Sequence, residues 1–250
     1  MTATKTPTQS APPEQNHLLG QLPQDLRERI TPHLTGVNLS LGDVIYEAGQ
    51  KLEYVYFPAE SIISLLYVMS DGDSGEIAVV GYEGVAGIAA FMGGESTPSR
   101  AVVQSAGPAY RLPAGMLRDA FNQYPNIRTV MLRYTQALIS QMSQTAVCNR
   151  HHTIEQQLCR WLLLSMDRLP NNELNMTQEL IANMLGVRRE GVTEAAGKLQ
   201  RQGLIEYTRG HILVRDRPAL EAHCCECYET VRREAERLQS FPPPLRPSHG

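Results

Sequence analysis

Met176-Thr177-Gln178-Glu179-Leu180-Ile181-Ala182-Asn183-Met184-Leu185-Gly186-Val187 runs directly into Arg188-Arg189-Glu190-Gly191-Val192-Thr193-Glu194-Ala195-Ala196-Gly197-Lys198-Leu199-Gln200. Thr177 is suited to cap a helix, because its hydroxyl can accept from the unpaired N–H groups of the first turn. Leu180, Ile181, Met184 and Leu185 fall on one apolar face. Gly186 stands where a helix end needs a left-handed residue at little steric cost. In the next segment Val192, Ala195, Ala196 and Leu199 form a buried face whose small residues allow close helix approach. Arg188, Arg189, Glu190 and Thr193 crowd the first turn and can reach outward. Two short apolar runs follow, around Thr208-Arg209-Gly210-His211, and read as a β-hairpin.

A helix, a glycine turn, a helix with a basic start and then a hairpin wing is a layout that reads duplex DNA. The second helix would enter the major groove. An Arg fork can donate two hydrogen bonds to guanine, and a Glu can accept from cytosine. Between Leu185 and Arg217 there are seven basic residues (Arg188, Arg189, Lys198, Arg201, Arg209, Arg215, Arg217) and four acidic ones (Glu190, Glu194, Glu206, Asp216). This local positive excess contrasts with a formal net charge of −3 for the chain, and phosphate contacts require such a patch. The expected DNA-facing set is Thr177, Gln178, Arg188, Arg189, Glu190, Thr193, Lys198, Arg201, Arg209 and His211.

Outward from this segment, 250 residues with 42% hydrophobic content suffice for one large or two ordinary domains. No stretch approaches the roughly 20 apolar residues of a membrane helix. The polar start from Met1 to Glu14 has no apolar signal core. The expected location is the cytoplasm. Residues 1–16 read as a disordered leader, and the Pro-rich 241–250 as a disordered tail. From Val37 to Pro113 short β-branched and aromatic runs alternate with Gly and Asp breaks, which suggests a β-roll of about eight strands. With flanking helices it forms a sensor domain over 17–124.

A helix from Ala114 to Tyr124 must stop near Pro125, and Asn126 to about Asn149 then carries no Gly or Pro, so a helix is expected within 125–149. Its apolar residues Ile127, Val130, Met131, Tyr134, Leu138 and Met142 recur at steps of three and four. Such a stripe can pack on the chain's own β-roll or face its twin in a parallel coiled coil. The polar link Asn149-Arg150-His151-His152 marks the boundary of a last domain over 150–240, which starts with a helix from Thr153 to Leu169.

Over about Leu18 to Gln239 the chain resembles the Crp/Fnr superfamily of bacterial transcription regulators. Tyr54-Val55-Tyr56-Phe57-Pro58, Phe91-Met92-Gly93-Gly94, Thr97-Pro98-Ser99-Arg100-Ala101-Val102-Val103 and Met184-Leu185-Gly186-Val187-Arg188-Arg189 carry the likeness to a less characterised branch. The resemblance implies an α+β chain: an N-terminal double-stranded β-roll like a cyclic-nucleotide-binding domain, a long dimerisation helix, and a C-terminal winged helix-turn-helix. It implies a parallel homodimer on a near-palindromic operator, with Arg189 and Glu190 on bases and RNA polymerase as a further partner. Where the cyclic-AMP receptor branch has another base-reading Arg, this chain has Glu194, so a different DNA site is expected.

The cyclic-nucleotide branch holds its ligand with a Gly-Glu pair for the ribose and an Arg-Ser/Thr-Ala element for the phosphate. Here the position after Gly84 is Val85, and Arg100 stands directly before Ala101, one place off. A one-residue shift in a strand turns a side chain to the opposite face. Glu83, Gly84, Ser99 and Arg100 remain the candidate effector residues, for a small molecule other than cyclic AMP, with an empty or side-chain-filled pocket the favoured alternative. His223-Cys224-Cys225-Glu226-Cys227 invites zinc or an iron–sulfur cluster. A closed site wants four ligands, and no second Cys pair lies elsewhere, so no metal or other cofactor is expected. Cys148 and Cys159 read as core, and His151-His152 as a solvated turn. A redox role for the tail thiols is left open. The chain has no Walker loop, nucleotide-binding Gly fingerprint, HExxH or nucleophile elbow, which argues against an enzyme. A module that regulates a protein partner, with a vestigial DNA domain, is the other alternative.

Overall fold

The computed structural model describes residues 12–239. The tail expected over 241–250 and the first eleven residues of the expected leader lie outside them. The leader does not extend to residue 16. Pro13–Gln15 form a short 3-10 turn, and Asn16 is buried. The Asn16 carboxamide donates to the carbonyls of Pro58 and Gly84, and its oxygen accepts from Leu18 and Leu19 at the start of α1 (His17–Gly20).

After α2 (Gln24–Ile30) come β1 (Thr35–Leu39), β2 (Val44–Tyr46), β3 (Tyr54–Pro58), β4 (Ile62–Val68), β5 (Ser74–Val80), α3 (Ala89–Met92), β6 (Arg100–Ser105) and β7 (Gly107–Pro113). These seven strands, rather than about eight, form two antiparallel sheets of order β1-β7-β3 and β2-β6-β4-β5. Every residue of β4 from Ile62 to Leu66 is buried, and the strand alternation explains why. Ile63 and Leu65 point into the roll, beside Val55, Phe57, Val80 and Val103. Ile62 and Leu66 point the other way, into a second core shared with the C-terminal domain.

Two helices close the roll, α4 (Ala114–Gln123) and α5 (Pro125–His151), with Pro125 at the first helical turn where its missing N–H costs nothing. Ile127, Val130, Met131, Tyr134 and Leu138 are all buried against the roll of their own chain. Met142 is half-buried there. This corrects the reading of that stripe as a seam between chains: its large side chains are spent on the intrachain core. Tyr134 reaches in to donate to the Val85 carbonyl at 3.0 Å. A Cβ on Gly84 would meet its ring at 2.5 Å. Gly84→Ala is therefore expected to lower unfolding stability by about 1–3 kcal/mol through overpacking, read as a lower urea midpoint with an unchanged slope.

Beyond α5 lie α6 (Ile154–Met166), β8 (Glu173–Asn175), α7 (Gln178–Leu185), α8 (Arg189–Arg201), β9 (Ile205–Thr208), β10 (His211–Val214), α9 (Arg217–His223) and α10 (Glu226–Gln239). Thr153 and Gln156 form a capping box at the start of α6. The second core gathers Trp161, Leu162, Ile181, Val192, Leu199, Ile212 and Leu220. The last helix, α10, packs back along α5.

Candidate nucleic-acid interface and sensor face

Local chemistry builds the helix-turn-helix as read. The Thr177 hydroxyl accepts from Leu180 N–H at the start of α7. Gly186 ends that helix at φ +64°, in the left-handed region. Arg188 caps α8 with extended backbone. Arg188, Arg189, Glu190 and Thr193 are exposed, while Val192, Ala195, Ala196 and Leu199 are buried. Thr193 donates to Gln178 Oε1 at 2.7 Å and fixes α7 against α8.

The wing is a two-residue hairpin. Thr208 pairs with His211 across Arg209 and Gly210, both at positive φ (+51° and +84°). This is the backbone of a type I′ turn, whose twist suits the flanking strands. It holds the Arg209 side chain at the exposed tip. Among the described residues, no carboxylate lies within ion-pair distance of Arg188, Arg201 or Arg209. Three members of the expected set stand near carboxylates, Arg189 the most loosely, 4.0 Å from Glu179. Lys198 lies beside Glu194 (2.9 Å) and Glu155 (3.9 Å), and His211 Nε2 lies 3.3 Å from Glu173. Each faces a carboxylate, which weakens it as a phosphate contact.

The candidate effector residues do not converge on one cavity. Glu83 forms a largely buried ion pair with Arg168, at 2.7 Å, just past the end of α6. Arg100 pairs with Glu47 at 3.1 Å. By strand alternation it shares the face of Val102 and Gln104, away from the inward Ala101 and Val103. Ser99 is buried and bonds Thr97, and Gly84 backs onto Tyr134. A cavity of about 580 Å³ beside the roll is lined instead by Tyr46, Tyr54, Tyr56, Arg111 and the Lys51–Glu53 turn.

What the sensor sheet does hold is the DNA-reading domain. The outer face of β4, β5 and β6 presents Ser64, Glu76 and Gln104 to α6. The Ser64 hydroxyl lies within hydrogen-bonding distance of both Glu76 and Gln104 Oε1. Gln104 Nε2 donates to Ser165 Oγ at 2.7 Å. Burial pushes the Glu76 carboxyl up to about 7 from its usual 4.5, against the pull of Ser64, Arg160 and Arg168. An acid whose folded pKa is raised stabilises the fold fully below its unfolded pKa, and loses that contribution as pH rises through the folded value. Docked-state stability is therefore expected to fall by about 3 kcal/mol between pH 4.5 and just above 7. Glu76→Gln should flatten that slope in urea unfolding series across this window.

The thiols fall differently from their sequence neighbours. His223 turns to Glu155 at 2.5 Å, and Cys224 points towards the Gln156 carbonyl. Cys225 and Cys227 instead meet Cys148 and His152 at the end of α5, with all four ligand atoms within 4.8 Å of one another. His152 is thus not a solvated turn. Cys148 does have the buried place expected of it, but among other thiols. No sequence spacing could have joined residues 77 positions apart.

Comparison with known proteins agrees with this architecture. Residues 37–124 match the cyclic nucleotide-binding domain, and residues 156–223 match the Crp-like helix-turn-helix domain. The fumarate and nitrate reduction regulatory protein of Salmonella typhi is 22% identical over 82% of this chain and 82% of its own length. Among solved structures, a putative transcriptional regulator of the Crp/Fnr family from Eubacterium rectale superposes with a TM-score of 0.66, at 16% identity, covering 86% of this chain and 99% of its own. FixK2 from Bradyrhizobium japonicum gives 0.64 at 19% identity, covering 77% and 98%. The fold is that of a cyclic-nucleotide-binding-type roll joined to a Crp-like helix-turn-helix head. The chain belongs to the Crp/Fnr superfamily, as a non-enzymatic transcription regulator with a cyclic-nucleotide-binding-type domain and a helix-turn-helix. No helix among the described residues is long and apolar enough to cross a membrane.

Proposed function

We propose that this chain works in the cytoplasm as a homodimer on a near-palindromic operator, reading bases with the first turn of α8 and touching phosphates with the wing. The observation that carries this is the exposed first turn of α8, where Arg188, Arg189 and Glu190 reach outward, with Arg209 exposed at the tip of the wing. The pairing surface is the outer face of α5. There Leu132, Gln136, Ile139, Ser143 and Ala146 follow one another at steps of four and three, with Val147 alongside. Leu132, Ile139 and Val147 are about half exposed in the single chain. That spacing is a heptad seam suited to a parallel pair.

An effector would act by population shift, favouring the arrangement in which two recognition helices match successive major grooves. It would not be simple cyclic AMP, because Glu83 is committed to Arg168, Arg100 to Glu47, and Val85 is fully buried. RNA polymerase is the further partner through which an operator-bound dimer would act. The exposed recognition turn favours this reading over a module with a vestigial DNA domain. Duplex binding measured across a salt series tests it. Specific binding with a steep salt dependence is expected, since each neutralised phosphate releases counterions. Binding that ignores salt and sequence would contradict it. Tight calorimetric binding of cyclic AMP, abolished by Arg100→Ala, would overturn the effector reading.

A further inference from the structure

Cys148 and His152 lie one turn apart at the end of α5, where the His152 backbone N–H closes the helix on the Cys148 carbonyl. Cys225 and Cys227 flank Glu226 in the link where α10 begins. We propose that these four side chains bind a zinc ion, one per chain, as a closed Cys3His site.

The geometry is that of a tetrahedral mononuclear centre. A Zn–S bond of about 2.3 Å sets a sulfur–sulfur edge of about 3.8 Å, and a Zn–N bond of about 2.0–2.1 Å a sulfur–nitrogen edge of about 3.5 Å. Cys148 Sγ lies 3.7 Å from Cys225 Sγ, and Cys227 Sγ lies 3.4 Å from His152 Nδ1. A cubane iron–sulfur cluster would hold its ligating sulfurs much further apart, because its core of irons and sulfides lies between them.

The surroundings supply what metal ligands usually have. Glu226 Oε2 lies 3.4 Å from His152 Nε2, so the carboxylate can accept a hydrogen bond from Nε2–H and hold the tautomer whose Nδ1 lone pair is free to ligate. Gln144 Nε2 donates to Cys227 Sγ at 3.0 Å. Three thiolates around Zn²⁺ leave one net negative charge, and the buried Arg160 guanidinium of α6 acts electrostatically on Cys148. Cys148, Cys225 and Cys227 are all buried, as a structural site requires. The helix-turn-helix match ends at residue 223, so Cys225, Cys227 and α10 lie beyond it. The ion would join α10 to the last turn of α5, at the hinge between the dimer helix and the DNA-reading domain.

Elemental analysis of the reduced, full-length protein, expressed with zinc supplied, tests the proposal. One zinc per chain is expected. Cys225→Ser and Cys227→Ser should lose it, whereas Cys224→Ser, Cys159→Ser and His223→Ala should keep it. Glu226→Gln should weaken zinc affinity by about 10–100-fold while leaving the site intact. Should a serine variant fail to fold, Co²⁺ added to chelator-stripped wild type gives an independent readout. The expected spectrum has intense tetrahedral d–d bands and a thiolate charge-transfer band. An octahedral cobalt spectrum would overturn the proposal. So would zinc-free wild type that takes up none, iron with a cluster chromophore in zinc's place, a Cys148–Cys225 disulfide in the protein as isolated, or full zinc retention in Cys227→Ser.

Discussion

Replacing Arg188 and Arg189 together by alanine is expected to remove sequence-specific DNA binding and leave the fold untouched. Both side chains are exposed, and neither belongs to a buried network. The Arg189 contact with Glu179, 4.0 Å apart and exposed on both sides, is worth little in water. The α8 helix is held from its other face by Val192, Ala195, Ala196 and Leu199, so unfolding stability should shift by less than about 0.5 kcal/mol. A good base-edge contact discriminates by about 1–3 kcal/mol. Two such contacts per chain put the loss of specific affinity at about thirtyfold or more, with the salt dependence of residual binding also reduced. Arg232→Ala on α10, paired there with Glu229 and Glu236, is the matched control and should leave DNA binding intact.

Leu132→Glu with Ile139→Glu should convert the proposed dimer to a monomer. In a parallel pair, residues of the seam face their own counterparts, so four large apolar side chains would leave water together, each worth about 1.5–3 kcal/mol when fully buried. Glutamates in those places would set like charges against each other across the seam. The two positions are about half exposed in the single chain, so the monomer should keep its melting behaviour while sedimentation reports half the mass. Operator affinity should then fall to that of a single half-site. Val130→Glu or Leu138→Glu, two residues before Leu132 and one before Ile139, should instead destabilise the roll, because those side chains are buried in the roll's own core. The contrast separates the two faces of one helix.

That helix shows how far sequence reading carries. Its extent was legible to within two residues, because neither Gly nor Pro interrupts Asn126 to Asn149, and the helix runs on to His151. Its two faces were not. The strongest stripe, from Ile127 to Leu138, goes to the intrachain core, and the weaker one, interleaved with Gln136 and Ser143, is left outside. Periodicity of 3.6 and of 3.5 cannot be told apart over so few turns, and only the position of the roll chooses between them. The DNA-reading unit was legible almost residue by residue, because a cap at Thr177 and a left-handed Gly186 are local signals. The carboxylates beside Lys198 and His211 were not legible, because Glu155 and Glu173 come from elsewhere in the fold. The Cys148–His152–Cys225–Cys227 group was invisible for the same reason: its halves meet only once α10 folds back on α5.

Selection of fragments from a random duplex pool by the full-length protein tests the central claim most directly. The account predicts enrichment of one near-palindrome with half-sites about one helical turn apart, and loss of that enrichment in the Arg188/Arg189 double alanine variant. A pool that emerges without a preferred sequence, or one that the double variant enriches equally well, would contradict it.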